Sequence, residues 1–424
     1  MFKDNNSKWI QFVLIGLCGT ILLPQGVGFK FGVSMPNLDL PRLACLITEL
    51  LGLIFILINF KRISKGDFIG NVSRNTYGLI LLCFIAELVS SLNATQSYSY
   101  IWLIGDTVQI YALAFIVLFI CQVERVGEAL TIRYFMAVGI ILGIWLVAEV
   151  IFNKHFIYNR NLWTQETLYH LHSLKRFFIM PMGPYAYIQS FLYAICLFLG
   201  GTIFQNGRKR FFFIIFILCL LILSQMISAL FLCIILIIYL FVNSKMKEFL
   251  LATLILSLLI FSIFIFFPPN NISYTSVHYL WYAFDGGRGS ISYRVDNLVY
   301  LFNRVIEESN FLNGFGMGAL RDMNRVPTNI YLKGYEFRTD PGSFFIWFFE
   351  GGLLLWLSYF ALFMNAVLFA FKSSTSSEKY LCGGIAGFFI ISLSSQSPYL
   401  WGQLIIFIGM LEYFVRRRLG ENSC

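Results

Sequence analysis

Long apolar runs separated by short, mostly basic links make up most of this chain. The runs lie at 9–27, 41–60, 77–93, 100–122, 132–152, 184–205, 211–225, 226–243, 249–267, 343–371, 380–395 and 400–415. Each is close to the ~20 residues that a helix needs to cross the hydrocarbon core of a bilayer, which predicts about twelve transmembrane helices. The expected fold is therefore an all-α polytopic membrane protein, with 1–424 forming a single integral membrane domain. The first run follows a short basic tip, Lys3 and Lys8, and lacks a small-x-small cleavage pattern, so it reads as an uncleaved span. Two polar links are longer than the rest, at 153–183 and 268–341. Inside the second, Val295, Leu298, Val299, Phe302 and Ile306 recur at helical spacing, so 292–309 reads as an amphipathic helix.

The basic residues give these runs a direction. Lys61, Arg62, Lys65 and Arg74 follow the second run, and Arg125 and Arg133 follow the fourth. Arg208, Lys209 and Arg210 follow the sixth, Lys245 and Lys247 the eighth, Lys372 and Lys379 the tenth, and Arg416, Arg417 and Arg418 the last. Short loops rich in Lys and Arg stay on the cytoplasmic side, so every even-numbered connection and both termini are expected there. This alternation holds only if 211–243 is two spans. The links 153–183 and 268–341 then face outward, as a first basic periplasmic loop and a large periplasmic loop.

Composition agrees with a membrane. Of 424 residues 58% are hydrophobic and 12% charged, with 46 Phe and a mean hydropathy of +0.74. A water-soluble domain cannot bury that much apolar surface. The net charge of +9 sits largely in the short links, where it sets orientation, so no nucleic-acid partner is expected. Every Cys except the terminal Cys424 falls within or at the edge of an apolar run, and no Cys/His zinc spacing occurs, so no metal is assigned.

Chemistry is expected in the two outward loops, which carry charge against the insertion bias. Arg176 precedes a stretch with Pro181, Gly183 and Pro184, where an abrupt helix start would present its positive end to a phosphate; a snorkelling Arg at an ordinary turn is the other reading. In the large loop Arg288, Arg294, Arg304, Arg321 and Arg338 alternate with carboxylates and with Tyr293 and other aromatic rings. Guanidinium forks suit phosphate. Arg294 stands at a helix start, an unfavourable place for a cation, so it needs an anionic partner: Asp285, Asp296 or a ligand. Asp340 sits at the outer rim of the 343–371 run, where it can act as a general base or simply cap the helix. Glu350 lies inside that run, where an ionisable side chain is costly and marks function or pairing with a loop arginine. Gly314-Phe-Gly316-Met-Gly318 has no strand–helix unit around it and reads as a flexible turn rather than a phosphate loop.

Taken in order, these segments resemble the O-antigen polymerase and ligase superfamily, in layout over most of the chain and in motifs over roughly 170–400. The Arg176…Pro181-Met-Gly183 segment is similar to that family's Arg–Gly–Pro segment. Leu223-Ser-Gln-Met-Ile-Ser is similar to its Ser-Arg-Gly turn, with Gln225 where an Arg is common. Ser292-Tyr-Arg294, Arg304 and Gly314-Phe-Gly316 resemble its Arg-bearing helix and the Gly-x-Gly turn that follows. Phe344-Phe-Ile-Trp-Phe-Phe-Glu350-Gly-Gly352 resembles the start of its last outward-returning helix. One departure matters: the family's His-Asn before that helix is replaced by Pro341-Gly342 or Gly342-Ser343, which favours polymerase over ligase and leaves Asp340 as the nearest stand-in. The resemblance implies a glycosyltransferase, working without metal or cofactor, that joins undecaprenyl-diphosphate-linked oligosaccharide repeat units at the periplasmic face of a bacterial inner membrane. In that reading Arg176 and Arg294 stabilise the diphosphate and Asp340 takes the acceptor's proton. Arg288, Arg304, Arg321, Arg338, Tyr293 and Glu350 hold substrate. Its partners are lipid-linked glycans and membrane lipids, and the family also admits a chain-length regulator. The rival readings are a ligase acting on lipid A–core and, from another class, a transporter, which would place charges near the bilayer midplane.

Overall fold

The computed structural model describes residues 11–16, 28–29, 38–64, 74–92, 97–152, 311–316, 343–375, 377–385 and 398–420, with isolated positions at 208, 212, 215 and 216. The runs expected at 184–205, 211–225, 226–243 and 249–267 lie outside the described residues, as does all of 153–183. The described residues are helical apart from turns and one antiparallel ladder, in which β1 (Gly28–Phe29) pairs with β2 (Leu38–Asp39). The helices are α1 (Leu40–Ile58), α2 (Arg74–Leu92), α3 (Ser97–Val123), α4 (Glu128–Phe152), α5 (Ser343–Lys372) and α6 (Pro398–Leu419). Each coincides with an apolar run. Residues 11–16 and 377–385 are helical as well, inside the first run and at the edge of the 380–395 run. Two helical stretches, Arg74–Leu92 and Trp347–Lys372, are long and apolar enough to cross a membrane.

The helices pack as a bundle. α5 lies chiefly against α2 and also against α6, while α3 packs against α1, α2 and α6. The core is where α3 meets α6: Ala114, Val117, Leu118 and Cys121 of α3 are buried, as is every residue from Leu404 to Val415 of α6. A helix buried on all sides belongs at the centre. The outward faces are apolar too. Leu354, Leu357, Phe360, Met364, Leu368 and Phe371 form an exposed stripe along α5, and Leu46, Leu50, Leu53 and Leu57 form one along α1. In water such stripes would promote aggregation. Against lipid they cost nothing, because acyl chains are as apolar as leucine.

If apolar burial does not separate helix contact from lipid contact, polar contacts carry the specificity of packing. Glu412 of α6 is fully buried and does this at one end of the bundle. Its Oε2 accepts from Thr76 N at 3.0 Å and from Asn365 Nδ2 at 3.3 Å, and also from Thr76 Oγ1. Its Oε1 pairs with Arg416 Nε at 2.8 Å. Thr76 is in the first turn of α2, where backbone N–H groups have no helical partner, so one carboxylate of α6 caps α2 and ties in α5.

The same end holds a second junction. Thr375 Oγ1 accepts from Glu378 N at 3.1 Å while Glu378 Oε2 accepts from Thr375 N at 3.2 Å, a reciprocal capping box that starts the 377–385 helix. Glu378 Oε1 also binds Arg418 Nε at 2.8 Å, and Thr375 Oγ1 reaches Glu128 Oε2 of α4 at 3.3 Å. Arg417 Nη1 donates to Arg125 O between α3 and α4. The start of α2, the α3–α4 turn, the end of α5 and the end of α6 therefore meet at one end of the bundle. These are four of the connections at which the sequence places its basic residues.

Candidate functional site

The apolar run at 343–371 predicts one continuous span, but α5 is broken. Gly352 has φ 68° and ψ −170°, far from helical values. Trp347 and Tyr359 stack with ring centroids 3.9 Å apart and planes within 2° of parallel. In a straight helix, twelve residues would separate them by about 18 Å of rise. The break therefore folds the first two turns of α5 back onto the long part that follows. The Gly351-Gly352 pair explains this locally: glycine accepts positive φ without the steric cost that other residues meet there, and it weakens a helix interior.

A break leaves carbonyls of the first part and N–H groups of the second without helical partners. Here the 311–316 turn supplies partners for two of each. Phe315 N donates to Phe349 O at 2.8 Å and Gly316 N to Glu350 O at 3.0 Å; in return Leu353 N donates to Phe311 O at 2.9 Å and Leu354 N to Leu312 O at 3.3 Å. The two strands of contact are possible only because both sides present glycine. Gly314 also has positive φ, 67°, and a Cβ there would strike Glu350 O, while a Cβ on Gly352 would strike Leu312 O. Phe311 packs edge-on against Phe348. The Gly314-Phe-Gly316 turn, expected to be flexible, is instead buried at both glycines and bonded into the helix break.

Below the break lies a buried polar layer. Ser90 Oγ of α2 donates to Glu350 O at 2.6 Å. One turn earlier, Glu87 is 2% exposed and lies close enough to Tyr111, Tyr359 and Cys83 to act on them electrostatically. Tyr111 of α3 and Tyr359 of α5 share a hydroxyl–hydroxyl hydrogen bond of 2.8 Å, and Phe84 meets Tyr111 edge-on. Three helices thus converge on the segment that carries Glu350, whose own side chain is buried at 3% exposure. Inside a bilayer each polar group in this layer would be costly without the others.

Glu350 is the site residue from the sequence reading that falls on described positions. Arg176, Arg288, Tyr293, Arg294, Arg304, Arg321, Arg338 and Asp340 lie outside the described residues, as do the 292–309 helix and the Leu223–Ser228 turn. What the structure brings together is the Gly-x-Gly turn at 314–316 and the Glu350-Gly-Gly352 segment, two motifs separated by more than thirty residues. The sequence reading overlooked Glu87, Ser90, Tyr111, Tyr359 and Glu412. Glu87 and Glu412 carry a legible signal, an ionisable residue inside an apolar run. Ser90 and the tyrosines carry none, since they matter only through partners far away in the chain. Compared with protein-family models and with curated proteins, the sequence matches none.

Proposed function

We propose that this chain is a multi-pass inner-membrane glycosyltransferase of the O-antigen polymerase kind, with about twelve spans and both termini cytoplasmic. It joins undecaprenyl-diphosphate-linked repeat units at the periplasmic face. The observation that carries this reading is the seating of the 311–316 turn in the α5 break. The two motifs of the resemblance that fall on described residues meet in space, which gives their order in the sequence a physical basis. The 311–316 turn is thereby fixed next to Glu350, at the end of the bundle away from the junctions of Glu412 and Glu378.

In the reaction a hydroxyl of the acceptor repeat unit attacks the anomeric carbon of the donor glycan. The bond from that carbon to the diphosphate oxygen breaks, and undecaprenyl diphosphate leaves with the electron pair. Arg176 and Arg294 stabilise the negative charge that develops on the leaving group, which is the work a metal performs in many nucleotide-sugar enzymes. Asp340 accepts the hydroxyl proton. Glu350, with the other loop arginines and Tyr293, holds the glycan.

A second reading, transport of a lipid-linked glycan, is favoured by a specific observation: a discontinuous helix with buried carboxylates beside it is how many transporters build a substrate path. Purified protein in vesicles, given one undecaprenyl-diphosphate-linked repeat unit in EDTA, separates the readings. A ladder of longer lipid-linked glycans is expected, and Arg294→Lys, which keeps charge but loses the bidentate fork, is expected to weaken it by on the order of 100-fold. Transfer only when lipid A–core is added would make the protein a ligase. Movement of the substrate across the vesicle with no new glycosidic bond would replace the enzyme with a transporter.

A further inference from the structure

The four backbone groups of α5 that the 311–316 turn satisfies stand in a particular relation. In an unbroken α-helix each N–H donates to the carbonyl four residues earlier, so Leu353 N would pair with Phe349 O and Leu354 N with Glu350 O. Those are the two carbonyls and two N–H groups that the turn takes. The turn's own groups are related in the same way. Phe315 N and Phe311 O, and Gly316 N and Leu312 O, are each four residues apart, so a helical 311–316 would pair them with one another. The contact is therefore an exchange. Two helical bonds of α5 and two of a helical 311–316 are replaced by the four that join the segments: Phe315 N to Phe349 O, Gly316 N to Glu350 O, Leu353 N to Phe311 O and Leu354 N to Leu312 O. The number of hydrogen bonds is the same in either arrangement.

Gly314 and Gly352 occupy matching places, each three residues after the first carbonyl of its segment, and both hold positive φ. Glycine takes positive and negative φ about equally well, so each segment can adopt either arrangement without a steric penalty at that residue. Side-chain contacts favour the joined arrangement. Trp347 stacks on Tyr359, Phe311 meets Phe348 edge-on, and Ser90 Oγ donates to Glu350 O. The stack cannot survive a straight α5, which would set its two residues about 18 Å apart along the axis.

We propose that α5 and the 311–316 turn form a two-state switch. In one state the turn is seated and α5 is bent. In the other the turn withdraws, each segment closes its own helical bonds, and α5 runs straight. Inside an apolar bundle a withdrawn turn with α5 still bent would leave backbone groups without partners, which is costly, so the two movements are coupled. A ligand that binds one state better would drive both together. The proposal stands on the hydrogen-bond exchange and is independent of the transferase reading.

The test uses the full-length protein in lipid nanodiscs. Nitroxides are attached to p-acetylphenylalanine in place of Phe345 and Phe371, which leaves the natural cysteines untouched, and their separation is read by double electron–electron resonance. A straight helix would hold these positions about 39 Å apart, and the fold-back shortens that by about 10 Å. The parent is expected to show mostly the short distance. Gly314→Ala alters only the turn, but a Cβ there strikes Glu350 O. It should unseat the turn and move most of the population on α5 to the long distance. Tyr359→Leu removes the stack with both glycines in place and should also raise the long-distance fraction. Gly78→Ala, with open space at its Cβ position, should leave the distribution unchanged. A short distance retained in Gly314→Ala, or in Tyr359→Leu should Gly314→Ala fail to fold, would overturn the switch. One broad distribution in place of two separate distances would overturn it as well.

Discussion

At Gly352 two requirements fall on one residue. Its φ is positive, and the space where a Cβ would go is taken by the Leu312 carbonyl. Gly314 repeats both conditions from the opposite side. Replacing Gly352 with Ala therefore adds backbone strain of about 1–3 kcal/mol and pushes the 311–316 turn off the break. The expected result is a lower midpoint of thermal unfolding in detergent, together with faster proteolysis of the 268–341 loop. Gly78, which has open space at its Cβ position and helical backbone around it, is the control: Gly78→Ala should leave the midpoint unchanged or raise it. If the two variants behaved alike, the pairing of Gly314 with Gly352 would have no energetic weight. Ser90 differs in kind. Its hydroxyl adds a second donor to Glu350 O, so it refines the position of the break without creating it.

Among the elements, the helices differ in what fixes them. α6 is buried from Leu404 to Val415, and its place is set by Glu412 and by the arginines that follow. The 377–385 helix begins at a capping box, Thr375-Ser-Ser-Glu378, which a reading of the sequence by apolar runs passes over. Thr375→Ala removes the side-chain acceptor for Glu378 N and the contact to Glu128. Loss of such a cap typically costs about 1 kcal/mol. The variant should unfold at a modestly lower temperature, whereas Thr375→Ser, which keeps the hydroxyl, should match the parent. α5 is the element whose outline was legible and whose shape was not. Its apolar run is continuous, yet the chain folds back at Gly352 because the 311–316 turn can satisfy the broken backbone there.

For the whole molecule, the junctions built by Glu412 and Glu378 predict that four connections share one side of the membrane. Single cysteines introduced at Arg74, Arg125 and Lys379 should react with a membrane-impermeant maleimide from the same side. A cysteine at Leu312, 64% exposed on the turn that fills the break, should react from the other. The four natural cysteines among the described residues, Cys45, Cys83, Cys121 and Cys382, are buried, and labelling is read against the protein with no introduced cysteine. Labelling of Leu312→Cys and Lys379→Cys from the same side would contradict the proposed topology and with it the periplasmic placement of the large loop.

For the described helices, the sequence alone determined where they form, because a long apolar run leaves a backbone little choice but to satisfy itself internally. It also pointed to the four described connections that gather at one end of the bundle, because each carries Lys or Arg. It could not place the bend of α5, the capping of α2 by Glu412 or the layer of Glu87, Tyr111 and Tyr359. Each of these depends on a partner distant in the chain, and in an apolar bundle a local pattern does not say which neighbour a helix will meet. Only tertiary packing brought Gly314 to Gly352, and with it one turn of the large loop to the carboxylate-bearing segment of α5. The physical reason is hydrogen bonding: a broken helix inside an apolar bundle has to find partners for its backbone, and 311–316 is the segment that supplies them.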